Sequence, residues 1–224
     1  MRFLSRSEIT PRFEGRSVAI VGSGPSAAAN PPGLVDSHDV VIRVNNYKLT
    51  GGTGSRTDVH YSFYGKSVKK TADALRRDGV SLCMCKCPNS QPIESEWHVA
   101  QRKMAGIDFH YIYRNRADWW FCDTWLPTDA EFLAGFELLD RHIPTTGFAA
   151  ILDVLALAPG SVYLTGFDFF ASGIHNVDEP WRVKNHGDPI GHRPDLERAW
   201  LTAHWGDFPL SGDGALMAAM KEAA

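Results

Sequence analysis

The chain lacks several features that would mark common function classes. It carries no excess of positive charge: 23 Lys and Arg face 26 Asp and Glu across 224 residues, a formal net charge of -3. Nucleic-acid binding needs a basic stripe, so the balance argues against a nucleic-acid partner. No apolar stretch reaches the length of a signal sequence or a bilayer span, which predicts a cytoplasmic protein without a transmembrane segment. There are four cysteines, Cys83, Cys85, Cys87 and Cys122, with no Cys-x-x-Cys pair and no His-x-x-x-His spacing. That pattern supports neither a zinc site nor a secreted disulfide scaffold. No Asp-x-Asp pair is present to clamp a nucleotide diphosphate through a divalent ion, and no repeat or low-complexity segment interrupts the chain.

What is present reads as one soluble globular domain over residues 1–224. Hydrophobic residues make up 44% and charged residues 22% of the chain, ordinary values for such a domain. Short apolar, β-branched runs predict strands at 17–21, 39–44, 57–64, 80–87, 107–113 and 161–165. Between and after them, helices are predicted at 67–77, 94–104, 128–141, 147–158, 195–205 and 214–224, the third with Phe132, Leu133, Phe136, Leu139 and Leu138 inward. Strands alternating with helices imply an α/β fold, a single Rossmann-like domain whose mostly parallel sheet has helices on both faces. Residues 1–15 read as an N-terminal extension. Residues 172–194 carry Gly, Pro and three histidines without periodicity, which suggests a lid-like active-site loop. In Cys83-Met84-Cys85-Lys86-Cys87 the thiols alternate along one strand face. They read as small buried hydrophobes, one wall of a metal site being the alternative.

Gly22-Ser23-Gly24-Pro25-Ser26-Ala27 follows the first strand and satisfies a G-x-G-x-x-A fingerprint. Such turns let backbone N–H groups approach a phosphate. A dinucleotide site also calls for Asp or Glu near the end of the second strand, where this chain has Arg43-Val44-Asn45-Asn46. Arg43 could meet the extra phosphate of NADP, so an NADP-dependent oxidoreductase stands as the second reading. A tight turn without a ligand is a third.

Longer stretches are more specific. Val18 to Gly24, then Asp36 to Asn45, then Gly54-Ser55-Arg56-Thr57 resemble the large sialyl motif of glycosyltransferase family 29 in order and spacing. Thr145-Thr146-Gly147, followed by Val162 to Phe169, is similar to the small sialyl motif and to the matching segment of the bacterial family 42 sialyltransferases. His192-Arg193-Pro194-Asp195-Leu196-Glu197 keeps the H-x-x-x-x-E spacing of the last sialyl motif, and Ile190-Gly191-His192 resembles the catalytic-histidine segment of family 42. His175-Asn176-Val177-Asp178 resembles the third motif loosely. Residues 66–140 resemble nothing in either family.

There are departures. Val18 stands where the eukaryotic members have a disulfide cysteine, and the small-motif segment has no cysteine either. No stretch of these residues resembles their Golgi anchor. Both differences fit a cytoplasmic, bacterial relative acting on polysaccharide. Ser23 replaces an asparagine, and Phe170 stands where family 42 has a tyrosine.

The resemblance implies a sialyltransferase-type variant of the GT-A fold and an inverting transfer. An acidic 2-keto sugar, sialic acid or Kdo, would pass from its CMP donor to a hydroxyl of a glycan or glycolipid. It implies His192 as general base with Glu197 at the motif spacing, and His175 as donor to the departing phosphate, with His186 its competitor. Gly22, Ser23, Gly24, Pro25, Ser26, Asn45, Gly166 and Asp168 would hold the nucleotide. Thr145, Thr146 and Gly147 would meet the sugar carboxylate, Thr145 and Thr146 doubling as a helix N-cap. No cofactor and no metal is expected, since the CMP-sugar is a substrate with a single phosphate. A non-catalytic carbohydrate-binding module is the remaining alternative, opposed by the presence of both His192 and Glu197.

Overall fold

The computed structural model describes residues 2–64, 68–87, 121–172, 174–175, 179–180 and 191–221. The strands are β1 (Phe3–Leu4), β2 (Ser17–Val21), β3 (Val40–Val44), β4 (Val59–Ser62), β5 (Leu82–Cys85), β6 (Asp123–Trp125), β7 (Ser161–Thr165), β8 (Ile174–His175), β9 (Glu179–Pro180) and β10 (Leu210–Gly212). The α-helices are α1 (Arg6–Ile9), α2 (Ala72–Arg77), α3 (Asp129–Glu137), α4 (Thr146–Leu155), α5 (Pro194–Ala203) and α6 (Gly214–Lys221).

Eight strands form one sheet in the order β1-β6-β5-β4-β3-β2-β7-β10, and every pairing in it is parallel. From β2 the chain steps outward through β3, β4, β5 and β6, then returns to lay β7 on the other side of β2. That reversal creates a crevice at the carboxyl ends of β2 and β7, where open parallel sheets bind ligands.

Pleat alternation explains the layers. Val18, Ile20, Ile42, Val44, Tyr61, Met84 and Leu164 pack on the face covered by Ala150, Ile151 and Val154 of α4, Leu201 of α5 and Leu216 of α6. Cys83 and Cys85 point the other way, against Leu75 of α2 and Phe132 and Phe136 of α3. Ala19, Val21 and Val41 share a smaller cluster with Ala27 and Val35. A sheet buried on both faces needs near-continuous apolar strands, as β2 and β3 have. Cys83 and Cys85 of β5 and Cys87 just beyond it are buried as small hydrophobes. Among the described residues no group of three His, Cys, Asp or Glu side chains is placed to hold a metal ion.

Several expectations are refined. Residues 2–15 are part of the domain: they supply edge strand β1 and bury Ile9 and Phe13 completely. β1, β6 and β10 are two or three residues long, too short for periodicity to reveal. α3 stops at Glu137 because Asp140 and Arg141 turn left-handed, and Leu138 faces solvent at 40% exposure. The strand expected at 107–113, the helix at 94–104 and most of the 172–194 loop, His186 included, lie outside the described residues. No helix among the described residues is long and apolar enough to cross a membrane.

Candidate active site

At the crevice the turns after β2 and β7 touch. Gly22 N–H donates to Thr165 O at 2.7 Å and Gly24 N–H to Gly166 O at 2.8 Å. A Cβ on Gly22 would sit 2.4 Å from Gly166 O, so the glycine serves this close approach of two backbones. Gly166 itself has φ +74°, a left-handed conformation that suits glycine. Both N–H groups are thus committed to the partner turn. Beyond Gly24 the chain makes a 3-10 turn, Pro25–Ala29, in place of a long helix. Pro25 opens it, and the Ser26 hydroxyl donates to Asp213 Oδ2 at 2.8 Å; neither residue lines the cavity.

Asp213, which the sequence reading passed over, organises this end of the sheet. Its carboxylate also accepts from Thr165 Oγ1 at 2.7 Å and Gly166 N–H at 3.0 Å, and it caps α6 through Leu216 N–H at 2.9 Å.

The NADP reading fails on Arg43. Its side chain is fully buried and donates to Arg56 O and Thr57 Oγ1, while Asp36 lies beside it. No phosphate can reach it there.

Around the paired turns lies a cavity lined by Gly22, Ser23, Gly24, Asn45, Thr145, Thr146, Gly147, Gly166, Asp168, His192 and Glu197, with walls from Val44, Ile151 and five phenylalanines. Three segments far apart in the chain therefore meet at one place. Asn45 sits past the end of β3 with φ +48°. Its carbonyl accepts from His60 Nε2 at 2.9 Å. Ser62 Oγ accepts from Tyr64 N–H, so its single proton goes to Asn45 Oδ1 at 2.9 Å. That bond fixes the amide and leaves Nδ2 as its donor for the cavity.

After β7, Asp168 accepts from Phe170 N–H at 3.0 Å and Ser172 N–H at 3.2 Å, closing a turn in which Phe169 and Phe170 are both left-handed, φ +50° and +64°. Two bulky residues in that region store strain. Asp168 thus has a turn-closing role while bordering the cavity.

Thr145 caps α4: its hydroxyl accepts from Phe148 N–H at 3.2 Å. Its own donors go to Glu197, N–H to Oε1 at 2.5 Å and Oγ1–H to Oε2 at 2.9 Å. The amides of Thr146 and Gly147, in the first turn of α4, have no intrahelical partner, and both residues line the cavity. Glu197 is 3% exposed, and burial raises its pKa to about 7 against the Thr145 bonds and the Lys86 charge. It holds Thr145, and no hydrogen bond joins it to His192.

His192 precedes α5 and lines the cavity. Nδ1 lies 2.7 Å from Ile143 O, and a carbonyl only accepts, so Nδ1 carries the proton and Nε2 is left as a base. The residue is exposed to solvent and lines the cavity, while protein crowds its ring on the side that meets Ile143. Crowding, and next the Lys86 ammonium, lower its pKa below the ordinary histidine value, with the Ile143 bond opposing. The imidazole is neutral at pH 7.

His175 falls in β8, paired with Glu179 of β9; its side chain lies outside what the structure describes.

No family model and no curated protein matches the chain. Solved structures do. The α-2,3-sialyltransferase Cst-I from Campylobacter jejuni superposes with a TM-score of 0.60 over 97% of this chain and 81% of its own, at 14% identity. The fold is that of the sialyltransferases. A mammalian sialyltransferase in complex with Gal-beta-1-3GalNAc-ortho-nitrophenol matches at TM-score 0.56 and 18% identity, covering 89% of this chain and 69% of that one. CstII from Campylobacter jejuni, solved with cytidine-5'-monophosphate, matches at 0.53 and 17%, covering 89% and 80%. Both sialyltransferase groups suggested by the motifs are among the structures matched by shape.

Proposed function

We propose that the chain transfers an acidic 2-keto sugar, sialic acid or Kdo, from its CMP donor to a hydroxyl of a glycan or glycolipid, with inversion. One observation carries the reading. His192, with Nε2 unprotonated, shares a single cavity with Asn45, the glycine turns and the free amides of α4.

In this reading the nucleotide lies over the Gly22–Gly24 and Gly166–Asp168 turns, with Asn45 Nδ2 donating to it. The first-turn amides of Thr146 and Gly147 meet the sugar carboxylate, aided by the helix dipole. His192 Nε2 takes the proton of the acceptor hydroxyl as its oxygen attacks the anomeric carbon. The bond from that carbon to the phosphate oxygen breaks, and CMP leaves with the electron pair. His175, from the β8–β9 ribbon, donates to the departing phosphate. Phe170 has no hydroxyl to assist there. Glu197 acts through Thr145 by holding the start of α4.

Calorimetry with CMP, CDP, UDP and NADP side by side tests the nucleotide. CMP is expected to bind and NADP not; the reverse result sinks the transferase reading. In rate assays, His192→Ala should lose transfer by about 10²–10⁴-fold while CMP still binds. His175→Ala should slow donor hydrolysis as well as transfer. Wild-type transfer in the His192 variant removes the base assignment.

A further inference from the structure

Behind the cavity wall sits a cation that the reaction scheme leaves unused. Lys86 directly follows β5 and is 4% exposed. Pleat alternation turns Cys85 and Cys87 towards α3, and Lys86, like Met84, towards the α4 face. Its ammonium donates to Pro144 O, and it forms no ion pair among the described residues. A buried lysine without a paired carboxylate is costly, so its place needs a reason beyond packing.

The reason lies in what its neighbours hold. Ile143 O accepts from His192 Nδ1, Pro144 O from Lys86, and Thr145 donates twice to Glu197. Three consecutive residues are gripped by three side chains, from the end of β5, from the approach to α5 and from α5 itself. The carbonyl that orients the ring is the one beside the carbonyl held by Lys86.

We propose that Lys86 is a positioning residue for His192: it anchors Pro144, so that Ile143 O stays where it orients the ring, and its positive charge disfavours a second proton on that ring. The proposal rests on reading His192 as the base. Other charges around His192 are Glu197 behind Thr145, Asp168 across the cavity, and the Arg193–Asp195 pair on its flank. Among these, Lys86 is the charge that acts on the ring, with the same sign as its lowered pKa. Burial pulls Lys86 itself towards the neutral form, while Cys87, Glu197 and Cys85 pull it back towards the charged one. The geometry thus supplies two separable effects, a hydrogen bond that orients and a charge that tunes.

Nitrogen-15 NMR of the histidine rings in the intact chain reads the charge effect without substrate, with His192 assigned through His192→Gln. Lys86→Met should raise the His192 pKa by about a unit and lower kcat for transfer about tenfold, with the Kd for CMP unchanged. Lys86→Arg keeps the charge and should keep the low ring pKa. Lys86→Gln keeps a donor for Pro144 without charge, so the ring pKa should rise while more of kcat survives. That variant carries the test should Lys86→Met not fold. An unmoved His192 titration in the neutral variants overturns the proposal, as does an equal rise in Lys86→Arg, which would reduce the lysine to packing. If the wild-type chain neither binds CMP nor transfers a sugar, the functional reading falls, and the titration still decides whether Lys86 controls the ring.

Discussion

Asn45 shows how a residue gains a role from what holds it. The Ser62 bond to Oδ1 and the His60 bond to its carbonyl fix both side chain and backbone in a left-handed conformation that asparagine tolerates. The amide can then offer Nδ2 to a ligand without first losing rotational freedom. Asn45→Ala should weaken CMP binding by about tenfold, the scale of one neutral hydrogen bond. Asn45→Asp should weaken it further, since a carboxylate cannot donate and repels a phosphate. Calorimetry decides: equal affinity of the aspartate variant and wild type would remove the donor role. The asparagine was legible from its place in the large-motif segment. The orientation of its amide was not, because Ser62 lies 17 residues away and meets it only through the β3–β4 pairing.

At the scale of the element, α4 is the part on which the site depends. Thr145 caps it, Glu197 takes both of Thr145's donors, and the next two amides are left to the cavity. Thr145→Ala removes the cap and leaves part of a buried carboxylate without its partner. It should cost about 1–3 kcal/mol in urea unfolding and lower transfer, whereas Thr145→Ser keeps the hydroxyl and should stay near wild type. Equal stability of the alanine and serine variants would deny the cap its importance. Sequence spacing indicated that Glu197 belongs with His192. Only the packing of α5 against α4 shows that the carboxylate serves Thr145 instead. Lys86 did leave a signal: in Cys83-Met84-Cys85-Lys86-Cys87 it shares a buried strand face with Met84, and a lysine there is unusual.

For the whole molecule, four of the described groups shape the response to pH: Glu197 and His60 are buried, Asp153 is half-buried and His192 is exposed. Burial raises Asp153, whose carboxylate accepts from Tyr61 Oη at 2.5 Å, and Glu197 to about 7. Burial lowers His60 to about 4, and the protein crowding one side of the exposed His192 ring, with the Lys86 charge, lowers His192 as well. The carboxylates stabilise the fold while protonated, and that contribution is lost as pH rises through about 7. The histidines stabilise it while neutral, and that contribution is lost as pH falls below the unfolded value near 6.5. Between about pH 5 and 6.5 the two trends oppose each other. Of these four groups only the carboxylates titrate from 6.5 to 8, so Tm should fall by about 2–4 °C. Asp153→Asn should remove roughly half of that fall in a calorimetric pH series. An unchanged slope in this variant would count against the assignment.

The alternation of apolar strands and helices, the glycine turn after β2 and the motif spacing from Val18 to Glu197 were enough to specify an α/β sheet of sialyltransferase type. They rest on local periodicity and on short-range residue order, which a linear chain displays openly. The tertiary structure alone decided the rest. It assigned Gly22 and Gly24 to a contact between two backbones and made Ser26 a donor to Asp213. It also buried Arg43 away from any phosphate, gave Glu197 to Thr145, and set Lys86 beneath His192. Each of these pairs groups many residues apart, brought together by the register of a parallel sheet and the packing of helices on it. Such contacts form only when the whole core closes, so no local pattern in the sequence encodes them.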